Sequence, residues 1–315
     1  MIIHFVLPTE TWESIAQEIQ LENPQYLKEY HNQHCGRGEQ ILEGLSPGKK
    51  LLIPGINQVK EYNSRNDAPF KSPEQNPKIT FKPENLAAQY KVNITEHTQT
   101  ENGRNEKHGL SYIMNLTWLE KISDHHVFSL TKTQFSTGKE GKMEHLAKES
   151  ALVLNPFLIT TNLEGEILRV SLSKEVLENF PETKNKLLDL FPDQYALKYI
   201  VELEFIISEP SVLDQRMKED LLMRTFFAPI RNPFNNGKSQ YSVLWTDENI
   251  PLNIIQKVKP GENDGEIRLL QHAEPPMDYS GEYTVDLKTG FIKKVHITYY
   301  NSLYGVKNNT SISIE

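Results

Sequence analysis

Apolar residues recur at every second position through much of the chain after residue 86, and this period limits the possible folds more than any other feature. A two-residue period puts alternate side chains on opposite faces of a β-strand, so each such run predicts a strand with one buried face. The clearest run has apolar residues at Leu110, Tyr112, Met114, Leu116 and Trp118. Similar runs are found at 90–94 and 127–135.

Two later pairs of apolar runs enclose short turns that contain glycine. The runs 152–161 and 167–172 enclose Gly165, and the runs 283–287 and 291–299 enclose Gly290. Because glycine tolerates positive φ, both pairs predict β-hairpins. Apolar residues at helical spacing predict helices at 175–180, 183–191 and 211–227. Residues 86–315 are therefore predicted to form a β-rich α+β domain, mostly antiparallel, with two or three helices.

The first 56 residues predict a separate small unit with the order β-α-α-β. The run Ile2–Leu7 predicts a strand, and the spacing of Trp12, Ile15, Ala16 and Ile19 predicts one face of a helix. Asn23 and Pro24 are typical of the start of a second helix. The turn Ser46–Lys49, with proline second and glycine third, precedes a strand at Lys50–Ile53.

Residues 57–85 lose this periodicity and carry four prolines among polar residues. Such a composition buries little apolar surface, so the segment predicts a flexible linker. The predicted organisation is therefore a module at 1–56, a linker at 57–85 and a domain at 86–315.

The overall charge argues against one class of partner. The chain has 34 basic and 42 acidic residues, a formal net charge of −8. A net negative chain lacks the general attraction for phosphate backbones on which non-specific nucleic-acid binding depends. The single cysteine, Cys35, excludes an intramolecular disulfide.

The opening residues and the hydropathy of the chain bear on its location. Residues 1–8 lack the basic segment and the long apolar run of a signal peptide, and no apolar run is long enough to span a membrane. These features predict a cytoplasmic location, or delivery outside the cell by a secretion machine.

The first unit resembles the LysM family. Three blocks carry the resemblance: Thr9–Ala16, Leu27 with Asn32, and Ser46–Pro54. The resemblance implies a βααβ fold that binds N-acetylglucosamine polymers such as peptidoglycan, in a groove between two loops. On this sequence the groove residues are Thr9, Glu10, Thr11, Trp12, Gly44, Leu45, Ser46, Pro47 and Gly48. The family's usual Gly-Asp pair is replaced here by Thr9-Glu10.

A LysM-like unit without an export signal is also similar to leaderless LysM proteins of Bacteroidetes, some of which we link to type VI-like contractile injection systems. This implies a docking module in a bacterial assembly, whose partner is a baseplate or spike-type protein. Two alternatives stay open: a peptidoglycan-binding protein exported by a non-classical route, and a secreted effector enzyme. The oligomeric state is left open.

No motif predicts a catalytic, metal or cofactor site. His31, His34 and Cys35 are close in sequence but lack a fourth ligand. The Gly-x-Ser-x-Gly string at 44–48 precedes a strand, whereas a nucleophile elbow precedes a helix. The pair His125-His126 predicts an exposed hairpin turn.

The alternating strands and helices of the large domain resemble lipoprotein carriers, in which a curved sheet over helices encloses an apolar concavity.

Overall fold

The computed structural model describes residues 2–42, 44–65, 67–68, 71–100, 105–138, 141–244, 251–259, 265–273, 278–303 and 306–315. The chain divides into two compact units, Met1–Pro77 with Phe234–Gly237, and Lys78–Pro233 with Lys238–Glu315. Helices accompany a large antiparallel sheet, which confirms the predicted α+β class.

The first unit, as far as the structure describes it, contains a two-stranded antiparallel sheet and three helices. Its elements are β1 (Ile2–Phe5), α1 (Trp12–Glu18), α2 (Gln25–His34), β2 (Lys50–Ile53) and α3 (Ile56–Ser64). The predicted order β-α-α-β is therefore confirmed for the first four elements.

The core of this unit includes Ile15, Leu27 and Leu51, each about 1% exposed or less. His31 is also fully buried, and its two ring nitrogens join α2 to its surroundings. The Leu52 N–H donates to His31 Nδ1 at 3.1 Å, and His31 Nε2 lies 2.9 Å from the carbonyl oxygen of Glu39. Accepting at Nδ1 leaves the proton on Nε2, so the ring donates to Glu39 and both backbone groups are satisfied.

The structure differs from the predicted linker at both of its ends. Helix α3 occupies Ile56–Ser64, and its Val59 and Tyr62 are buried in the core of the first unit. Two apolar residues three positions apart are enough to anchor a short helix, although the polar residues around them hide the pattern. Ile79 is buried as part of the second unit.

The described residues of the second unit form eleven strands in one sheet. The strands are β3 (Ala87–Gln99), β4 (Asn105–Ile122), β5 (His125–Thr137), β6 (Phe157–Thr161), β7 (Ile167–Leu172), β8 (Lys238–Leu244), β9 (Pro251–Lys259), β10 (Glu266–Ala273), β11 (Asp278–Asp286), β12 (Ile292–Leu303) and β13 (Val306–Ile314). Their order is β7-β6-β5-β4-β3-β13-β12-β11-β10-β9-β8, and every pair is antiparallel. The last strand, β13, therefore lies beside the first, β3.

Five helices accompany this sheet in the part of the chain that the structure describes, against the two or three predicted; one lies between β5 and β6 and four lie between β7 and β8. They are α4 (Lys142–Val153), α5 (Lys174–Leu190), α6 (Gln194–Ser208), α7 (Pro210–Glu219) and α8 (Leu221–Phe226). The alternate residues Tyr112, Met114 and Leu116 of β4 are all buried, as the two-residue period predicts. Gly165 and Gly290 have positive φ in their turns, which confirms both predicted hairpins.

Several predicted boundaries are wrong. Leu152 and Val153 belong to α4 and not to a strand, because the apolar run continues across the junction between α4 and β6. The two helices predicted at 175–180 and 183–191 are one helix, α5, with Pro181 inside it. The helix predicted at 211–227 divides at Asp220, whose side chain accepts from the Met223 N–H at the start of α8.

Arg231 ties three segments of the second unit together. Its Nε donates to the Gly290 carbonyl at 2.9 Å and its Nη1 to the Glu164 carbonyl at 3.1 Å. The guanidinium carbon lies 4.3 Å from the centre of the Phe81 ring, a cation–π distance. Burial lowers the pKa of Arg231 to about 10, so the side chain stays charged at neutral pH. The turns after β6 and β11, which lie far apart in the strand order, thus meet at one cation.

Gly290, in the turn after β11, has no room for a side chain. Its φ is +68°, and a Cβ atom placed there would lie 1.9 Å from the Thr80 carbonyl oxygen. Gly265 has a similar φ of +92°, but a Cβ there would have no atom within 4 Å. The two positions therefore separate the cost of positive φ from the cost of a steric clash.

We expect Gly290→Ala to lower the free energy of unfolding of the second unit by about 2–4 kcal/mol. The matched control, Gly265→Ala, bears only the cost of positive φ, about 1–2 kcal/mol. Urea denaturation of both variants measures the difference. Equal losses in the two variants would contradict a steric role for the contact between residues 80 and 290.

Candidate functional site

The structure brings the two loops of the predicted groove to the same end of the β1–β2 sheet. The Val6 N–H donates to the Lys49 carbonyl at 3.0 Å, and the Gly48 N–H donates to the Val6 carbonyl at 2.7 Å. These bonds continue the pairing of β1 and β2 beyond the strands. The start of segment 9–12 therefore lies close to the end of segment 44–48.

Within the first loop, Glu10 and Thr11 already hold structural roles. The Leu7 N–H donates to Glu10 Oε2 at 2.7 Å, and His4 Nε2 lies 2.7 Å from the same oxygen. The Leu7 N–H, followed by His4, lowers the pKa of Glu10. This stabilisation is complete above the ordinary glutamate pKa and is lost as the pH falls through the lowered pKa of the folded state. Thr11 is the N-cap of α1, with Ser14 as its partner.

The remaining groove residues divide into packed and exposed groups. Trp12 and Leu45 are partly buried against the core of the first unit, so Trp12 contributes first to packing. Thr9, Gly44, Ser46, Pro47 and Gly48 are exposed. A Cβ at Gly44 or Gly48 would meet no atom within 4 Å, but the Gly48 N–H is already bonded to the Val6 carbonyl, so the exposed backbone of this loop is that of Gly44.

His31 and His34, which the sequence singled out as possible metal ligands, have structural roles in the first unit. His31 bridges backbone groups as described above, and His34 stacks on Tyr30 with ring centres 4.2 Å apart. Among the described residues, no three His, Cys, Asp or Glu side chains are grouped so as to hold a metal ion. Ser46 of the Gly-x-Ser-x-Gly string leads into β2 and not into a helix.

His126 is the histidine for which the prediction of an exposed turn is wrong. It is only 2% exposed, whereas His125 is exposed. The turn itself is Ser123-Asp124, and His126 is already inside β5. Trp118 Nε1 donates to His126 Nδ1 at 3.2 Å, and Phe81 packs against the imidazole edge to face. Burial lowers the pKa of His126.

The second unit contains a cleft of about 450 Å³ between α4 and the strands β3, β4 and β5. Its walls are mainly apolar, and its apolar residues are Ile94, Leu110, Phe135, Ala147, Ala151 and Leu221. Charged residues lie around them: Glu96, Lys107, His108, Glu144 and Lys148. A volume of this size is within the range of small-ligand pockets.

Strand register explains why the cleft is apolar inside and polar at its rim. Val92 pairs with Tyr112 and both are buried, whereas the next inward pair, Ile94 with Leu110, is half-buried. The following pair, Glu96 with His108, is exposed. The cleft therefore lies where the helical cover of the sheet ends. The sequence implied an apolar concavity only through the resemblance to lipoprotein carriers and named none of its residues, because they come from three strands and two helices and leave no local motif.

Comparisons with known proteins give no family. No protein-family model and no curated protein matches the sequence. Among solved structures, the chain is similar to a lipovitellin from a study of lipid–protein interactions, with 10% identity and a TM-score of 0.41 over 74% of this chain. It spans 25% of the lipovitellin chain. It is also similar to the LolA superfamily protein NE2245 from Nitrosomonas europaea, with 11% identity and a TM-score of 0.20, over 77% of this chain and 90% of that one. Neither likeness carries an argument about function.

Among the described helices, none is long and apolar enough to cross a membrane.

We expect the free energy of unfolding of the second unit to fall as the pH is lowered from 7 towards 5.5. Because burial lowers the pKa of His126 in the folded state, the unfolded chain binds more protons in this range. One such group changes stability by at most about 1.4 kcal/mol per pH unit. His126→Gln keeps an acceptor for Trp118 and should flatten this slope, whereas His125→Gln should leave it unchanged. Urea denaturation at a series of pH values measures both, and an unchanged slope in His126→Gln would contradict the assignment.

Proposed function

We propose that this chain is a non-catalytic binding protein that holds an apolar ligand in the cleft of its second unit. The observation that supports the proposal most directly is the cleft itself, a space of about 450 Å³ walled by Ile94, Leu110, Phe135 and the alanines of α4. An apolar ligand placed there leaves water, which is the main driving force for such binding. Ala147 and Ala151 matter because their small side chains leave the space open.

The rim of the cleft favours a ligand with a polar end. Glu96 and Glu144 contribute negative charge, and Lys107 and Lys148 contribute positive charge. His108, which also lines the cleft, has its Nε2 atom 3.6 Å from Oε2 of Glu106. With both signs present, the rim selects for a polar group without fixing its charge. The ligand class is thus an amphiphile with an apolar body.

A second proposed function concerns the first unit, which we propose is a LysM-like docking module. The supporting observation is that the two loops 9–12 and 44–48 meet at one end of the β1–β2 sheet, with the backbone at Gly44 exposed and no atom within 4 Å of a Cβ there. An accessible backbone offers hydrogen-bonding groups to the acetamido group of a peptidoglycan glycan. It offers the same groups to a baseplate or spike-type protein of a contractile injection apparatus.

We expect the chain to bind the neutral fluorophore N-phenyl-1-naphthylamine, with a rise in its emission. Ala147→Trp fills the cleft from an exposed helix position, so it should lower the affinity by about tenfold or more. The matched control is Leu177→Trp on α5, because Leu177 is 44% exposed and lies outside the cleft lining. Fluorescence titration measures both. Unchanged binding by Ala147→Trp would contradict the proposal, as would a failure of the parent chain to bind any apolar probe.

We expect the full chain to sediment with purified peptidoglycan sacculi if the partner of the loops is a glycan. Ser46→Arg places a large side chain on the exposed second loop and should abolish retention, whereas Ser64→Arg at the end of α3 should not. Absence of the parent chain from the sacculus pellet would reject the glycan and leave the baseplate or spike-type protein as the partner.

A further inference from the structure

Strand β1 has an open edge that no described part of the chain covers. Among the described residues β1 pairs with β2 alone, in the register Ile2 with Ile53 and His4 with Leu51. The backbone of Val6 also faces the β2 side, since its N–H donates to the Lys49 carbonyl. Since backbone groups alternate along a strand, those of Ile3 and Phe5 point away from β2.

The structure closes the neighbouring edge positions. Beyond Phe5, the Leu7 N–H donates to Glu10 Oε2, and the Leu7 carbonyl accepts from the Glu10 N–H at 3.1 Å. On the far side of the sheet, the Leu52 N–H donates to His31. Among the described residues, the open part of the β1 edge is therefore two residues long in the hydrogen-bonding sense, Ile3 and Phe5.

The side chains along this edge are apolar and exposed. Ile3, Phe5 and Leu7 lie on one face of the strand and are 53%, 62% and 57% exposed. Residues 2–7 include no Lys, Arg, Asp or Glu, and His4 already pairs with Glu10. Natural edge strands usually carry charges or proline that prevent further pairing. Here the first such residue is Pro8, beyond the open edge.

We propose that two copies of this chain pair through β1, antiparallel, about a two-fold axis at His4. In this arrangement Ile3 exchanges both of its backbone hydrogen bonds with the partner's Phe5, and Phe5 does the same with the partner's Ile3. A two-fold axis at His4 uses every open backbone group of the edge and leaves none over. A foreign strand could also satisfy these groups, but a second copy matches the length of the open edge at both ends.

The side chains support the same register. Ile3 lies opposite the partner's Phe5 on the exposed face, and β-branched residues paired with aromatic ones stabilise antiparallel sheets. Because the interface is isologous, pairing occupies both open edges, and the assembly closes as a dimer. The proposal is independent of the cleft in the second unit.

The experiment is sedimentation of the full chain over a range of concentrations, with amide hydrogen exchange of residues 3, 5 and 7. We expect a shift from 36.3 kDa towards twice that mass, with the Ile3 and Phe5 amides protected only in the dimer. The Leu7 amide should be protected at every concentration, because Glu10 holds it within one chain.

Proline substitution tests the backbone contacts without disturbing the β1–β2 pairing. Ile3→Pro removes an N–H that points away from β2, so the monomer should fold while the dimer is lost. Phe5→Lys, which places a charge on the exposed face, should also give a monomer. The matched control is Ile56→Pro, since Ile56 is 76% exposed and is the first residue of α3, where proline is tolerated.

The outcomes decide the proposal in each case. Loss of the dimer in Ile3→Pro and Phe5→Lys, with retention in Ile56→Pro, supports it. A parent chain that stays monomeric throughout overturns it, including the case in which that monomer captures an added apolar strand peptide. A dimer that persists in Ile3→Pro also overturns it and places the interface on another surface.

Discussion

The burial of one face of the eleven-stranded sheet is the constraint on which the rest of the second unit depends. Alternation along the strands puts apolar side chains on that face from β7 to β9, as at Val170, Met114, Ile312 and Leu269. Helices α4, α7 and α8 contact the sheet at β5, β7 and β12, respectively, and α5 and α6 pack against other helices. Arg231 holds together two turns of this sheet, those after β6 and β11, because it donates to a carbonyl group in each.

The cleft follows from the limits of that cover. Strands β3 and β4 continue beyond the helices, and their inward row changes from buried to exposed over three successive pairs. At Ile94 and Leu110 the row is still apolar, but the helix facing it presents the small residues Ala147 and Ala151. An apolar row without a large facing side chain leaves space, and Glu96 with His108 closes the row with polar groups. The same alternation that builds the core therefore produces the candidate site.

Sequence reasoning predicted elements whose signals are local. The period at Leu110–Trp118 and the glycines at 165 and 290 are such signals, and the corresponding strands and hairpins are present. Helix α6 was missed because its residues are apolar on both its buried and its exposed sides, so no single stripe stands out. His126 was misplaced because its burial depends on Trp118 and Phe81, which only the fold brings near. The cleft residues meet through strand register, which single runs of sequence do not encode.

Helix α6 and strand β1 each carry a row of exposed apolar side chains, and the two rows differ in what they specify. On α6, Leu197, Val201 and Phe205 are about half exposed and share one side of the helix at four-residue spacing. The helix satisfies its own backbone, so this stripe offers only side-chain contacts and defines no partner geometry. On β1 the exposed side chains accompany open backbone groups, and those groups accept only an extended strand in a fixed register. Apolar surface alone marks a place of contact, but backbone groups that no described residue pairs, as at Ile3 and Phe5, also dictate the conformation of what binds there.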